Sequence, residues 1–349
     1  MHVAGAGMAG LVAAARGRQL GLAPVVLEKG TRPGGSMLLS SCVIWRHRSF
    51  DDFRSECPGG GERLQRLIWE RLDDGLAWLE SLGASVVTRE PGNPLTTGMR
   101  FEPRGLTDAL ARAAGEIRLE TPCVPRDRMS EGPLVLATGG FPVRLAAERG
   151  LLVRANPWSD GGGIDYARER GAALTGGLEE FYGRALPGPV AEGLFVSAAQ
   201  LYGRFARRVN DRGEEFFPGE PSWSENDLAQ AIARQPGGRA WYVLDERALQ
   251  QTVRERTVAE MVEQARAAGG EVVPVEGGGV KVRVYAAVTH TLGGLRVDTG
   301  ARVLDEAGEP ISGLYAAGVD AGGVALGGYA SGLAQALVLG LVAAESASA

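Results

Sequence analysis

An α/β fold built around a parallel sheet follows from three stretches of the sequence. The first is the N-terminal "HVAGAGMAGLVAAARGRQLG". It pairs a short apolar run with a Gly-x-Gly-x-x-Gly turn at Gly5, Gly7 and Gly10, then a small-residue helix pattern closing at Gly21. The second is "PVVLE", an apolar strand ending on Glu28, near the spacing of about 20 residues at which nucleotide-binding βαβ units carry an acid. The third is "YAAGVDAGGVALGGYASGLAQALVLG" near the C-terminus, again a strand, a glycine-rich turn and an apolar helix.

The glycine spacing means little by itself. With 52 glycines among 349 residues, such a pattern arises about once by accident, so the strand before it, the helix after it and Glu28 beyond it carry the inference. Gly5 and Gly7 let the backbone approach a pyrophosphate, and Gly10 lets helix and strand pack closely. The helix beginning at Met8 and Ala9 turns its unpaired N–H groups toward negative charge. Glu28 would accept ribose hydroxyls, and an acid there disfavours a 2′-phosphorylated nucleotide. An ADP-containing cofactor is expected; the alternative is an ordinary βαβ unit with Glu28 as a solvated strand end. After Lys29 comes the Gly34–Gly35–Ser36 turn, a poor helix start but a good path along an extended ligand.

Composition narrows the function classes. A net charge of −5 and a pI near 5.5 lack the basic excess that binding a phosphate backbone requires, which argues against nucleic acid and for a small-molecule substrate. Cys42, Cys57 and Cys123 form no CxxC pair and no zinc pattern, so no metal is expected and a reducing cytoplasm fits. No signal-peptide pattern opens the chain. The most apolar late run, "LAQALVLGLVAA", is shorter than the roughly 20 residues of a membrane span and reads as a buried helix.

From Glu28 onward the sequence resembles the flavoprotein superfamily of fumarate reductases, succinate dehydrogenases and 3-ketosteroid dehydrogenases. "EKGTRPGGSMLLSSCVIW" is similar to the loop that passes beneath the flavin. "WLESLGAS", "LVLATGGF", "SDGGGIDYARERGAAL", "VNDRGEEFFPGE" and "VTHTLGGLRVD" follow in the family's order, and the C-terminal glycine-rich segment completes it. The resemblance implies a Rossmann-like, glutathione-reductase-type FAD-binding domain with an inserted small α+β cap. The FAD domain would be discontinuous, 1–177 and 286–349, and the cap would span 178–285. It implies non-covalent FAD held by the residues above with Ala137, Thr138, Gly139, Gly318, Gly328, Gly332 and Leu333. The cap is short for the family, and only "IRLETPCVPRDRMSEGP" stands where members carry a strand meander. Within the cap, "WYVLDERALQQTVRERTVAEMVEQARAAGG" reads as a strand leading into one long charged helix.

The same resemblance frames the chemistry as hydride transfer between flavin N5 and a carbon of a C–C or C=C bond activated by a neighbouring carbonyl or carboxylate. Dicarboxylate-reducing members have a His in "HTMGG" and an Arg before "LGG"; here the first is His290, but Ala325 stands at the second, which removes a carboxylate fork. "GGYASG" is similar to the ketosteroid Δ4-dehydrogenase segment in which the Tyr and Ser belong to the active site, which assigns those roles to Tyr329 and Ser331. A cyclic ketone or enone is the substrate class this implies, with an electron donor or acceptor that no motif names. Packing and helix capping are the competing roles for Tyr329 and Ser331, and a bond to the flavin loop competes for His290. A solvated turn competes with anion binding for Arg46, His47 and Arg48. Cys42 reads as a packing residue, and Tyr166, Tyr182, Tyr202 and Tyr242 are further proton-donor candidates.

Overall fold

The computed structural model describes residues 1–121 and 132–349; Cys123 and the middle of "IRLETPCVPRDRMSEGP" lie outside the described residues. The chain divides into two compact units. One comprises Met1–Pro142, Asn156–Glu180 and His290–Ala349, the other Val143–Ala155 and Phe181–Thr289.

The first unit is built on a six-stranded sheet. Its order is Arg302–Leu304, Pro310–Ala316, Leu134–Leu136, His2–Ala4, Val25–Leu27 and Glu116–Arg118. Every neighbouring pair is parallel except the first, which is an antiparallel hairpin. The strands are short and apolar and lie in the interior of the unit: Val3, Val26 and Val135 are fully buried. Ala4 pairs with Leu27 and Leu136, and Leu136 with Ala316. Four strands therefore end level, and the residues that follow them share one edge.

Packing on the sheet depends on small side chains. Helix Met8–Gln19 is buried along most of its length, and a Cβ on Gly340 of helix Gly332–Ser348 would come within 2.7 Å of the Ala9 carbonyl oxygen. The two helices can thus approach far more closely than Leu-sized contacts allow. Helix Glu62–Ser81 buries Leu64, Ile68, Leu72, Leu76 and Leu79, the spacing of one helical face. A three-stranded antiparallel sheet, Val43–His47, Thr96–Phe101 and Val86–Thr88, completes this unit.

In the second unit the central strand is Val280–Thr291 as far as Thr289, its last two residues belonging to the first unit. It pairs antiparallel with Arg239–Leu244 and Val272–Pro274 and parallel with Leu152–Val153, and Phe181–Leu186 also joins it; Arg207–Val209 extends the sheet beyond Arg239–Leu244. The single long helix expected after "WYVL" is not formed. Asp245 caps a four-residue helix, Glu246–Leu249, a hairpin pairs Thr252–Val253 with Arg256–Thr257, and the helix proper is Val258–Ala267. The reason is local: Thr257 and Glu260 form a reciprocal capping box, satisfying the N–H groups that start a new helix there.

Candidate active site

The level carboxyl edge of the parallel strands collects the glycine turn, Glu28 and the "ATGG" turn. Gly5 follows its strand with φ +102°, a value that favours glycine, and its Cβ would meet the Ala137 carbonyl at 2.3 Å. A Cβ on Gly10 would sit 1.9 Å from the Gly5 carbonyl, so this glycine serves the strand–helix contact. Gly7 differs. A Cβ there would meet nothing closer than Gly35 Cα at 4.0 Å, which leaves space over the first helical turn, where Met8 and Ala9 begin the helix without a side-chain cap. Gly34 donates its N–H to the Ala6 carbonyl at 2.8 Å, which draws the Gly34–Gly35–Ser36 turn beside Gly7, and Ser36 Oγ accepts from Asn156 N–H at 3.0 Å.

Glu28 is buried just beyond its strand. Its two carboxylate oxygens accept from the Ala6 and Gly30 N–H groups, each at 2.7 Å, so it organises the glycine turn from below. Lys29 points elsewhere, into an exposed ion pair with Asp160. Asp320, which sequence reasoning missed, makes a second clamp. It is fully buried and accepts from Thr138 Oγ1 at 2.9 Å, from Thr138 N–H and from Gly140 N–H at 2.7 Å. Burial pushes its carboxyl up, and these donors oppose that rise. The clamp ties Ala137–Gly140 to the turn Gly318–Asp320. An acid inside the apolar and glycine-rich "AAGVDAGG" was the available signal, because a buried carboxylate must find donors. Gln335 braces the same turn, donating to the carbonyls of Gly318 at 2.8 Å and Ala321 at 2.6 Å.

The C-terminal helix begins at Gly332. Ser331 is its N-cap and accepts from Ala334 N–H at 3.2 Å, while Gly327 and Gly328 are held in a turn before it. The bareness of this loop serves the chain itself. A Cβ on Gly328 would lie 1.7 Å from the Glu56 carbonyl, and one on Gly322 would lie 2.1 Å from Gly294 N. Tyr329 is half-buried, with its ring centroid 5.2 Å from that of Trp45. Its backbone is held on both sides by the His47 ring and the Cys57 thiol. The His290 imidazole lies against Gly332, 3.0 Å from where a Cβ would stand, and so beside the first turn of the helix that Leu333 continues.

The remaining candidates divide. His47 is buried, and burial pulls its pKa down; Arg46 pairs with Asp73 and covers the Trp69 ring. Arg48 is exposed near Glu90. Cys42 is a buried thiol pushed up to about 12 by burial, with Glu102 adding to the rise, which suits packing rather than redox chemistry. Tyr202 and Tyr242 lie in the interior of the second unit, where burial raises their phenols and makes them weak acids. Tyr182 is also buried, and Tyr166 carries the Arg170 guanidinium over its ring.

An edge of this form, with open space over Gly7, a buried acid and glycine turns at the ends of parallel strands, fits an extended dinucleotide. Residues 117–333 match the FAD binding domain family, and residues 3–41 match the NAD(P)-binding Rossmann-like domain. The chain belongs to the FAD binding domain family, within the flavoprotein superfamily its motifs resemble, and is an FAD-dependent oxidoreductase with FAD as its cofactor. It is 24% identical to a probable fumarate reductase from Shewanella frigidimarina, over 99% of this chain and 74% of that protein. A shorter stretch of 63 residues is 49% identical to an NADH:acrylate oxidoreductase from Vibrio harveyi, covering 18% of this chain and 6% of that protein. In fold it is similar to the 3-ketosteroid-Δ4-(5α)-dehydrogenase of Rhodococcus jostii, with a TM-score of 0.72, 20% identity and coverage of 100% of this chain and 96% of the other. Among the described residues no helix is long and apolar enough to cross a membrane.

Proposed function

We propose that the enzyme adds or removes a hydrogen pair across a C–C bond beside a carbonyl, on a small cyclic ketone or enone. Bound FAD supplies the hydride acceptor or donor. The observation that carries this reading is the junction before the C-terminal helix. Tyr329 is anchored through its backbone by His47 and Cys57, and His290 is packed on the helix's first turn. Tyr329 donates a hydrogen bond to the substrate oxygen and stabilises the negative charge that develops there. His290, the side-chain type that titrates nearest neutrality, holds the proton that is exchanged at the other carbon. Ser331 supports both by capping the helix on which they converge. Glu28 has used two acceptor sites on backbone N–H groups, and an ionised carboxylate offers about four, so it retains capacity for ribose hydroxyls.

Tyr329→Phe tests the reading. It should leave the melting temperature and bound flavin unchanged while slowing flavin reduction or reoxidation by a ketone or enone about 100- to 1,000-fold, measured by rapid mixing. Unchanged kinetics would remove the phenol from the chemistry and leave His290 as the polarising group. A carboxylate-activated alkene is the second reading, favoured by the likeness to the fumarate reductase and the acrylate oxidoreductase and opposed by Ala325 at the clamp position. Faster reoxidation of reduced flavin by acrylate or fumarate than by a cyclic enone would select it.

A further inference from the structure

Arg208, in the second unit, stands opposite Tyr242 in the antiparallel ladder between Arg207–Val209 and Arg239–Leu244. The residue is only 7% exposed, and among the described residues no acceptor lies within hydrogen-bond distance of its Nε or Nη1. Its Nη2 reaches no nearer than 4.0 Å to Oε1 of Glu215, whose side chain is 43% exposed. Phe216 N–H donates to the Arg208 carbonyl at 3.3 Å, which folds the following segment back along the strand, and the Phe217 ring lies 5.6 Å from the guanidinium carbon. The contrast with neighbours is sharp. Arg184, equally buried, donates to the Ser224 carbonyl, and Arg283 is paired with Asp211 and Glu271.

A guanidinium taken out of water without a partner costs several kcal/mol, so a buried one is completed by an anion or by acceptors. Its planar donors match a carboxylate. Glu215, 4.0 Å away and 43% exposed, is a long-range counter-charge that a bound anion would displace toward solvent. A singly charged ligand then balances the one guanidinium, whereas a phosphate dianion would leave excess negative charge in the interior. We propose that Arg208 is the recognition group of an anion site in the second unit that takes a small monocarboxylate, with Phe217 against the ligand's apolar part and Glu215 as the competing resident anion.

The test uses the FAD-loaded, oxidised protein, with acetate, propionate, phosphate and chloride compared at constant ionic strength by thermal shift and calorimetry. The monocarboxylates should stabilise the protein saturably, and phosphate and chloride should not. Arg208→Gln should weaken carboxylate binding about 10- to 100-fold, the equivalent of one lost hydrogen bond to a charged group. Glu215→Gln, at a well-exposed position, should keep the fold and strengthen binding by removing the competitor, and it decides the matter if Arg208→Gln does not fold. No saturable carboxylate effect, an equal effect in Arg208→Gln, equal stabilisation by phosphate, or unchanged affinity in Glu215→Gln would each overturn the proposal. Binding is read without turnover, so the result is independent of the hydride-transfer reading. A carboxylate that also reoxidises reduced flavin is the substrate; one that does not is a separate ligand.

Discussion

The turn Gly5–Gly10 and the turn Gly322–Gly328 are equally bare in sequence, yet the absent side chains serve different ends. At Gly7 the missing Cβ leaves open space above a helix N-terminus, whereas at Gly322 and Gly328 that space is already filled by backbone of Gly294 and Glu56. The first turn leaves room at Gly7. The second is shaped for the chain, which it draws tight enough to present Tyr329 and the start of the C-terminal helix. Glycine enrichment therefore marks close backbone approach in both turns, but not what is being approached.

Substitutions can break this comparison. The largest effect is expected from Gly328→Ala, because the atoms nearest the added Cβ are the Glu56 carbonyl oxygen and carbon, backbone that cannot swing aside like a flexible side chain. It should cost about 3 kcal/mol or more in chemical denaturation of the apoprotein. A normally stable Gly328→Ala protein would mean that the turn can relax, and would return this glycine to a ligand role. Gly7→Ala comes next and has the opposite signature. With φ −75° and room for the methyl, the apoprotein should lose no more than about 1 kcal/mol, while FAD affinity measured by flavin fluorescence should fall at least about tenfold. Equal losses of stability in both variants would erase the distinction.

The smallest effect sharpens the link between the two turns. Glu345, on the helix that follows the second turn, pairs with Arg16 on the helix that follows the first and with Arg71 on Glu62–Ser81. Burial pushes its carboxyl up, but the two guanidinium groups outweigh burial and hold it below its ordinary value of 4.5. A lowered folded pKa stabilises the protein above the unfolded value, and that contribution is lost as pH falls through the folded value. Glu345→Gln should therefore cost about 0.5–1 kcal/mol at pH 7, allowing for partial solvent screening, and nothing once the pH is well below 4.5. Denaturation midpoints of both proteins across pH 3–7 would check this, and a pH-independent difference would assign the loss to packing.

The N-terminal strand, turn and helix were legible because each rests on local rules: an apolar run, glycine spacing and a closing glycine within 21 residues. The start of the C-terminal helix is fixed by Ser331, whose side chain caps it, one of the two roles its residue type allowed. The break before Val258 in the second unit was readable in principle, since Thr257 and Glu260 carry a capping-box spacing. The charged run around it continued the helical pattern and hid the signal.

By itself the sequence determined the class of fold, the glycine turn that follows the first strand, and the order of motifs that places this chain among FAD-binding oxidoreductases. These depend on residue type and short spacing, which the chain carries locally. Tertiary structure alone decided that Asp320 clamps Thr138 and Gly140, that His47 and Cys57 hold Tyr329, and that Arg208 is buried with no acceptor at two of its nitrogens among the described residues. Each of these joins residues distant in sequence. A polar side chain's role is set by which donors and acceptors folding brings within about 3 Å of it, and no local pattern encodes that distance.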